Sequence, residues 1–220
     1  MTLIVLNFKT YKEATGKAAL ELSRICEDIS KQYGVTIAVA VQAADISTIS
    51  KSVKIPVYAQ HVDGVGFGGY TGHITAASVV AAGASGSLIN HSERRLKLAD
   101  IEASVSACKK EDLATIVCTN NIATTKAAAT LMPDYVAVEP PELIGSGIPV
   151  SKADPEVVRG SVEAVKRIEP GVGVLCGAGI THGDDLRAAL DLGSVGVLLA
   201  SGIIKAADQR LALEDLVTGI

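Results

Sequence analysis

The sequence predicts an α/β fold, and specifically a single-domain (β/α)8 barrel that spans residues 1–220. Short runs rich in Val, Ile and Leu recur eight times, and segments with helical periodicity separate them. Aromatic residues make up only 3% of a chain that is 48% hydrophobic, which is typical of parallel strands packed beneath helices. A doubly wound sheet alternates in the same way but usually has fewer strands, so eight regular units favour the closed barrel.

The expected strands are the eight apolar runs that are bounded by turn residues. They are Leu3–Lys9, Thr36–Val41, Val57–His61, Ser87–His91, Thr115–Thr119, Tyr135–Glu139, Gly173–Gly177 and Gly196–Ala200. The expected helices are Ala14–Tyr33, Asp45–Ser50, Ala76–Ala82, Ile101–Lys110, Ile122–Leu131, Pro155–Ile168, Asp184–Leu192 and Leu211–Thr218.

Charge and composition exclude several classes of partner. The formal net charge is −4, from 20 basic and 24 acidic residues, so no broad basic field favours nucleic acid or an anionic membrane. No apolar run is long enough to span a membrane, and the first strand begins without a charged leader, so we expect a cytoplasmic protein. The four cysteines form no C-x-x-C pair and the four histidines show no metal-ligand spacing, so we expect buried free thiols and neither metal nor cofactor.

The active site of such a barrel lies at the carboxyl ends of its strands. This rule makes candidates of the polar and small residues at those ends. They are Asn7, Lys9, His61, Asn90, His91, Glu139, Gly177, Gly179, Ala200 and Ser201.

The sixth strand ends in Glu139, which two prolines and then the stretch Gly145-Ser146-Gly147 follow. Prolines stop the strand, and the glycines allow a mobile loop whose amides can face an anion. This order suggests a general base beneath a lid formed by Pro140–Pro149. Read alone, the stretch does not exclude an ordinary glutamate at the surface.

Two other strand ends carry candidate groups. Alternation directs Asn7 and Lys9 into the barrel and Phe8 outward among the helices, and Lys9 supplies the positive charge that the composition lacks. His91 can polarise a carbonyl as a neutral imidazole. For each residue taken alone, a solvated lysine or a structural histidine is the more common interpretation. The His91-x-Glu93 pair matches part of the zinc-deaminase signature, but no P-C-x-x-C follows, so we reject that reading.

Glycine-rich stretches indicate a loop and a phosphate site. Gly64–Gly69 matches G-x-G-x-x-G, but no helix opens after it, so we interpret it as a protruding loop. The C-G-A-G of Cys176–Gly179 and the L-A-S-G of Leu199–Gly202 end strands seven and eight in small residues. Such ends let backbone amides approach a phosphate near a helix N-terminus.

Together these stretches resemble the triosephosphate isomerase family over essentially the whole chain. The resemblance rests on N-F-K, N-H-S-E-R-R and V-E-P-P-E-L-I-G-S-G, which occur in the family's order and approximate spacing. The short chain, the P-P-E-L-I-G stretch and the C-G-A-G end are most similar to the archaeal branch. The resemblance implies a TIM barrel that interconverts dihydroxyacetone phosphate and D-glyceraldehyde 3-phosphate through an enediolate, in glycolysis and gluconeogenesis, without metal or cofactor.

The resemblance also implies a role for each matching residue. Glu139 would be the base, His91 the electrophile and Lys9 the substrate-binding cation, with Glu93 supporting the charge network behind Lys9. The further substrate-binding residues would be Asn7, Phe8, Ile144, Gly145, Gly179, Ala200 and Ser201. The Gly64–His73 loop would insert into a neighbouring subunit, which implies a homodimer at least, or a homotetramer as in the archaeal branch.

The chain departs from the family pattern at two places. Pro141-Glu142 replaces the V-W that many members carry, and C-G-A-G replaces Y-G-G-S, so hydroxyl groups that latch the lid are missing. Two rivals remain: another phosphate-binding barrel enzyme, such as a sugar-phosphate epimerase or an indole-glycerol-phosphate-synthase-like lyase, and a non-catalytic regulator. The presence of Lys9, His91 and Glu139 together disfavours both.

Overall fold

Eight parallel strands form a closed barrel, as the sequence predicts. The fold comes from a computed structural model that describes residues 2–145 and 147–220. Each strand pairs with its neighbours in chain order, and the last strand pairs with the first to close the barrel. The strands are β1 (Leu3–Asn7), β2 (Thr36–Val41), β3 (Val57–Ala59), β4 (Gly86–Ile89), β5 (Ala114–Thr119), β6 (Tyr135–Val138), β7 (Gly173–Gly177) and β8 (Gly196–Leu199).

Helices surround this barrel as a single domain. In the described parts of the chain they are α1 (Lys17–Tyr33), α2 (Ile46–Ser50), α3 (Ala76–Ala81), α4 (Leu98–Lys110), α5 (Ile122–Ala129), α6 (Val150–Ala153), α7 (Pro155–Ile168), α8 (Gly183–Asp191), α9 (Ser201–Ile204) and α10 (Gln209–Val217). Two 3-10 turns, Lys12–Ala14 and Pro141–Leu143, precede α1 and follow β6.

Alternation along each strand divides the core into two layers. In β1, Leu3 and Val5 belong to a cluster inside the barrel, while Ile4 and Leu6 belong to the larger cluster between barrel and helices. Phe8 continues the outer series and is fully buried in the helix-side cluster, as the alternation predicts. The same period directs the Asn7 side chain towards the mouth of the barrel.

Several strands end earlier than the sequence predicts, because the backbone turns where the functional residues begin. We expected β1 to reach Lys9 and β4 to reach His91. Lys9 and Asn90 instead have φ of 48° and 61°, which no extended strand contains, so both strands stop before them. The strands before His61, Glu139 and Ala200 also stop short of those residues.

The helices differ from expectation at short elements. The predicted helix Ala14–Tyr33 begins only at Lys17, because Gly16 has a φ of 59° and separates it from the preceding 3-10 turn. The pattern did not reveal α6 or α9, since four residues are too few to show helical periodicity.

All four cysteines are free and buried, as expected. Burial, the largest cause in each case, raises the pKa of Cys26, Cys108 and Cys176 to about 12, and it raises that of Cys118 well above its usual range. No helix in residues 2–145 or 147–220 is long and apolar enough to cross a membrane.

Candidate active site

A cavity of about 240 Å3 opens at the carboxyl ends of the strands. Parallel strands that close in chain order bring their ends to one rim, so residues far apart in sequence meet there. The lining residues are Asn7, Lys9, His91, Glu139, Ile144, Gly145, Gly147, Ala178, Gly179, Ile180, Thr181, Leu198, Leu199, Ala200, Ser201 and Gly202.

The end of β1 holds Lys9, the one lysine or arginine that lines this cavity in the part of the chain that the structure describes. The Lys9 side chain is 10% exposed, and its Nζ lies 2.8 Å from Oε1 of Glu93. Oδ1 of the buried Asn7 accepts a hydrogen bond from the backbone amide of Lys9 at 3.0 Å. This bond holds the backbone turn beyond the strand. The side-chain Nε2 of Gln60 donates hydrogen bonds to the Lys9 carbonyl at 2.9 Å and to the Ala40 carbonyl at 3.2 Å. These bonds fix the position from which the ammonium group enters the cavity.

The ring of His91 is held in one tautomer by the backbone. The Glu93 amide donates a hydrogen bond to Nδ1 of His91 at 3.2 Å. An amide can only donate, so Nδ1 accepts and the ring proton is on Nε2. That nitrogen lies 3.8 Å from Oε1 of Glu139. The bond therefore selects the tautomer in which Nε2 presents an N–H to the cavity.

Glu139 follows β6 by one residue and is 5% exposed. Its amide donates to the Thr119 carbonyl at 2.7 Å, which anchors the backbone to β5. Its Oε2 is buried and has no hydrogen-bond partner among the described residues. Gly177 leaves the space for this side chain, because a Cβ there would collide with Glu139. A buried carboxylate oxygen without a donor is available to accept a hydrogen bond or a proton from a ligand.

The part of the cavity wall that follows β7 and β8 is lined mainly by small residues. It comprises Ala178–Thr181, after β7, and Ala200–Gly202, where α9 begins. Gly179 has a φ of 73° and packs so closely on the Ile148 carbonyl that a side chain there would collide with it. Amides in the first turn of a helix have no partner within that helix, so this side suits an anion.

Backbone strain is concentrated around the cavity. Five described residues other than glycine have positive φ, and three of them are Lys9, Asn90 and Ala178. Such conformations persist where the surrounding structure holds them, and they cluster at functional sites.

Most of the residues that the sequence predicts for the site line this one cavity. Asn7, Lys9, His91, Glu139, Ile144, Gly145, Gly179, Ala200 and Ser201 all do so. Phe8 does not, because its side chain lies on the other face of the strand and is fully buried among helices. Glu93 does not line this cavity, but its carboxylate contacts Lys9 and lies 3.5 Å from Nδ1 of His91, and both of those residues do line it. Ser146, in the expected lid, lies outside the described residues.

Sequence reasoning missed several residues that the site uses. Ala178, Ile180, Thr181 and Gly202 line the cavity, and Gln60 supports Lys9. The signal for Ala178 and Gly202 was present, since both stand within the small-residue stretches C-G-A-G and L-A-S-G. Gln60 gave no signal beyond its place next to His61. In the described residues no group of three or more His, Cys, Asp or Glu could hold a metal ion.

Comparison with known proteins agrees with this geometry. The family model for triosephosphate isomerase matches residues 2–219. The chain is 63% identical over 214 residues to the triosephosphate isomerase of Methanosarcina acetivorans, covering 97% of this chain and 96% of the relative. It is 66% identical over 216 residues to that of Methanococcoides burtonii, covering 98% of each.

The fold agrees as well. The crystal structure of triosephosphate isomerase from Bartonella henselae superposes with a TM-score of 0.76 at 21% identity, covering 99% of both chains, and this similarity shows the fold. The resemblance to the archaeal branch is confirmed by the Methanosarcina and Methanococcoides relatives. The barrel, the full-length family match and the closely similar relatives lead to one conclusion: the chain belongs to the triosephosphate isomerase family.

Proposed function

We propose that this protein interconverts dihydroxyacetone phosphate and D-glyceraldehyde 3-phosphate. The observation that carries the proposal is the convergence of Glu139, His91 and Lys9 on one cavity whose other side is built from backbone and small residues. A triose phosphate has a carbonyl and a dianion at opposite ends. The acid–base groups suit the first, and the amide-rich side suits the second.

The proposed chemistry is the scheme established for this family, carried onto these residues. Glu139 removes a proton from the carbon next to the carbonyl, and the electron pair moves onto the carbonyl oxygen to give an enediolate. The Nε2–H of His91 and the ammonium of Lys9 stabilise the oxygen charge. His91 gives its Nε2 proton to this oxygen and takes the hydroxyl proton from the oxygen of the adjacent carbon, and Glu139 then returns the carbon proton to the former carbonyl carbon. Each step balances without metal or cofactor.

Binding of the phosphate is proposed for Ile144, Gly145, Gly179, Ala200 and Ser201. Their place in the lining of the cavity that Glu139, His91 and Lys9 share supports this assignment. Closure of the lid, residues 140–149, would exclude water and so strengthen the electrostatic interactions with the enediolate. We propose that Asn7 contributes by holding the Lys9 backbone, and that Phe8 contributes only through packing.

Assembly through the Gly64–His73 loop is part of the proposal. Phe67 on this loop is 92% exposed, which is unusual for an aromatic side chain on a monomer. A second cavity of about 310 Å3 adjoins the first and is lined in part by Lys9, His61 and Arg94. The loop tip of a second copy is the proposed occupant, in a homodimer or a homotetramer. A cytoplasmic enzyme of glycolysis and gluconeogenesis is consistent with this activity.

The deciding experiment is an isomerisation assay with glyceraldehyde 3-phosphate, run without added metal on the wild type and on Glu139→Gln. Wild-type turnover should fall by about a thousandfold or more in the variant, because the glutamine amide cannot accept the substrate proton. Circular dichroism of both proteins serves as the folding control. Near-native turnover in the variant would remove Glu139 from its role, and phosphate binding without turnover in either protein would favour a regulator.

A further inference from the structure

The end of the lid rests directly on the loop that follows β7. The Val150 amide donates to the Ala178 carbonyl at 3.3 Å, and Gly179 packs against the Ile148 carbonyl. Helix α6 then starts at Val150. The two segments that border the proposed phosphate site are therefore packed together at this junction.

A buried carboxylate lies behind the junction. Asp185, in the first turn of α8, is 3% exposed. Its Oδ2 accepts the amides of Thr181 and His182, each at 3.1 Å, and its Oδ1 lies 2.7 Å from the Nζ of Lys152 on α6. Burial raises the pKa of this carboxyl, but the bonds from Lys152 and the two amides outweigh burial and hold the pKa below its ordinary value. Asp185 is therefore charged at neutral pH.

This negative charge lies close to the proposed phosphate site. Thr181, whose amide bonds Asp185, lines the cavity beside Gly179 and Ser201. The charge of Asp185 also helps to raise the pKa of the buried Cys176 thiol at the end of β7, after the effects of burial and of Glu139. A carboxylate in this position without a neighbouring cation would repel a dianion bound in the cavity. Within the protein this repulsion is screened far less than in water.

Capping alone does not account for the arrangement. Asp185 caps the start of α8 by accepting hydrogen bonds from two backbone amides. A carboxylate can form these bonds without a lysine beside it. Lys152 comes from another helix, 33 residues earlier, and reaches Asp185 with a side chain that is 56% exposed. Its ammonium places a positive charge beside the carboxylate at the point where the lid ends.

We propose that Lys152 is a positioning and charge-compensating residue for the phosphate side of the site. It neutralises Asp185, so that the amide-rich wall stays favourable to a dianion, and it holds the end of the lid on the loop after β7. Lys152 itself does not touch the substrate. The inference rests on the proposed function, because it takes the anion site to be a phosphate site.

The test measures binding of inorganic phosphate at low salt by calorimetry, which needs no turnover. Lys152→Met keeps the apolar stem at a half-exposed position and should fold normally. It should weaken phosphate binding by roughly tenfold, because the charge of the carboxylate is no longer offset by a cation near the site. The double variant Lys152→Met/Asp185→Asn should recover most of that loss, because it removes the repelling charge. The matched control is Arg167→Met, which breaks an exposed pair with Glu163 on α7.

Assay of the same proteins should separate KM from kcat. Lys152→Met should raise KM for glyceraldehyde 3-phosphate more than it lowers kcat, whereas Arg167→Met should change neither. Unchanged phosphate affinity in Lys152→Met would overturn the inference and leave the proposed function intact. A double variant that binds no better than the single variant would also overturn it. A wild type that binds no phosphate would overturn both proposals.

Discussion

The Leu96 amide donates a hydrogen bond of 2.8 Å to Oδ1 of Asn90, six residues earlier in the chain. The same Asn90 side chain donates through Nδ2 to the Cys118 carbonyl on β5, at 2.9 Å. The side-chain amide of Asn90 thus closes the loop that contains His91 and Glu93, because it bonds to Leu96 at the far end of the loop. It also attaches the loop to β5. Asparagine is among the few residues that tolerate a φ of 61°.

Replacing Asn90 with glycine should lower kcat by about tenfold or more with a smaller change in KM. Glycine adopts the same φ without strain, so the variant removes the two bonds and little else. The His91 ring then loses its fixed orientation, and misplacement by about 1 Å can cost a hundredfold. The measurement is steady-state kinetics together with the NMR signals of the His91 ring, which report its orientation without turnover.

Asn121→Ala is the control for Asn90→Gly. Asn121 caps α5 by accepting the Thr124 amide at 2.9 Å, so its loss should cost about 1 kcal/mol of stability. We expect full activity in this variant. Equal activity in both variants would contradict the positioning role of Asn90.

Replacing Gly177 with alanine should impair catalysis by displacing Glu139. A Cβ at this position would collide with Cγ of Glu139, so the carboxylate must move away from His91. We expect kcat to fall by roughly a hundredfold and stability by about 1 to 3 kcal/mol. Gly171→Ala is the control, because a Cβ there would meet only the end of the Glu169 side chain. Retained turnover in Gly177→Ala would show that Glu139 does not need this space.

Replacing Asp63 with asparagine should remove an acid-sensitive part of the stability. Burial raises the pKa of Asp63, but His61, the Ile74 amide and Arg94 outweigh it and lower the pKa below 3.8. A carboxyl group whose pKa is lower in the folded than in the unfolded protein stabilises the fold at pH values above its unfolded pKa. This stabilisation is lost as the pH falls through the folded pKa. The variant should be about 1 to 2 kcal/mol less stable at neutral pH, and the difference should shrink below about pH 4.

Urea unfolding between pH 3 and 7 would measure this effect of Asp63. Asp191→Asn, at the exposed end of α8, is the control and should change stability little across that range. A difference between Asp63→Asn and the wild type that stays constant with pH would show that the carboxylate is not responsible.

Replacing Phe67 with aspartate should weaken the proposed assembly. Phe67 is the most exposed of the large hydrophobic residues on the described surface, and a charge there cannot be buried against a second copy without a large cost. Light scattering should show a shift towards monomer, with activity falling on dilution. Leu211→Asp is the control, since this residue is 62% exposed on α10 at a distance from the loop. A fully active wild-type monomer would refute the assembly.

The sequence predicts the barrel well because strand length and alternation are local properties. The bounds of β2 and β7 agree with expectation to the residue, and the strand-end rule alone brought Lys9, His91 and Glu139 onto one shortlist. The positive φ values of Lys9 and Asn90 did not follow from the strand pattern, because they also depend on bonds to the distant residues Gln60 and Cys118.

Contacts between distant residues were equally hidden. Lys152 and Asp185 are 33 residues apart and lie on different helices, and neither belongs to a pattern that marks an ion pair. The orientation of Phe8 follows from alternation, which places it outside the cavity, whereas the resemblance had placed it among the substrate-binding residues. The structure agrees with the alternation at Phe8, because periodicity states which way a side chain points.

The burial of every native cysteine has a practical consequence for measuring motion and assembly. Only the thiolate reacts with alkylating reagents, and the raised pKa values and shielding keep all four thiols protonated and inaccessible at neutral pH. A cysteine introduced at the exposed Leu211 position, which lies outside the proposed subunit contact, would therefore react selectively with a maleimide dye. The chain can be labelled at one chosen atom without first removing a native thiol, so energy transfer between differently labelled copies can report how often subunits exchange.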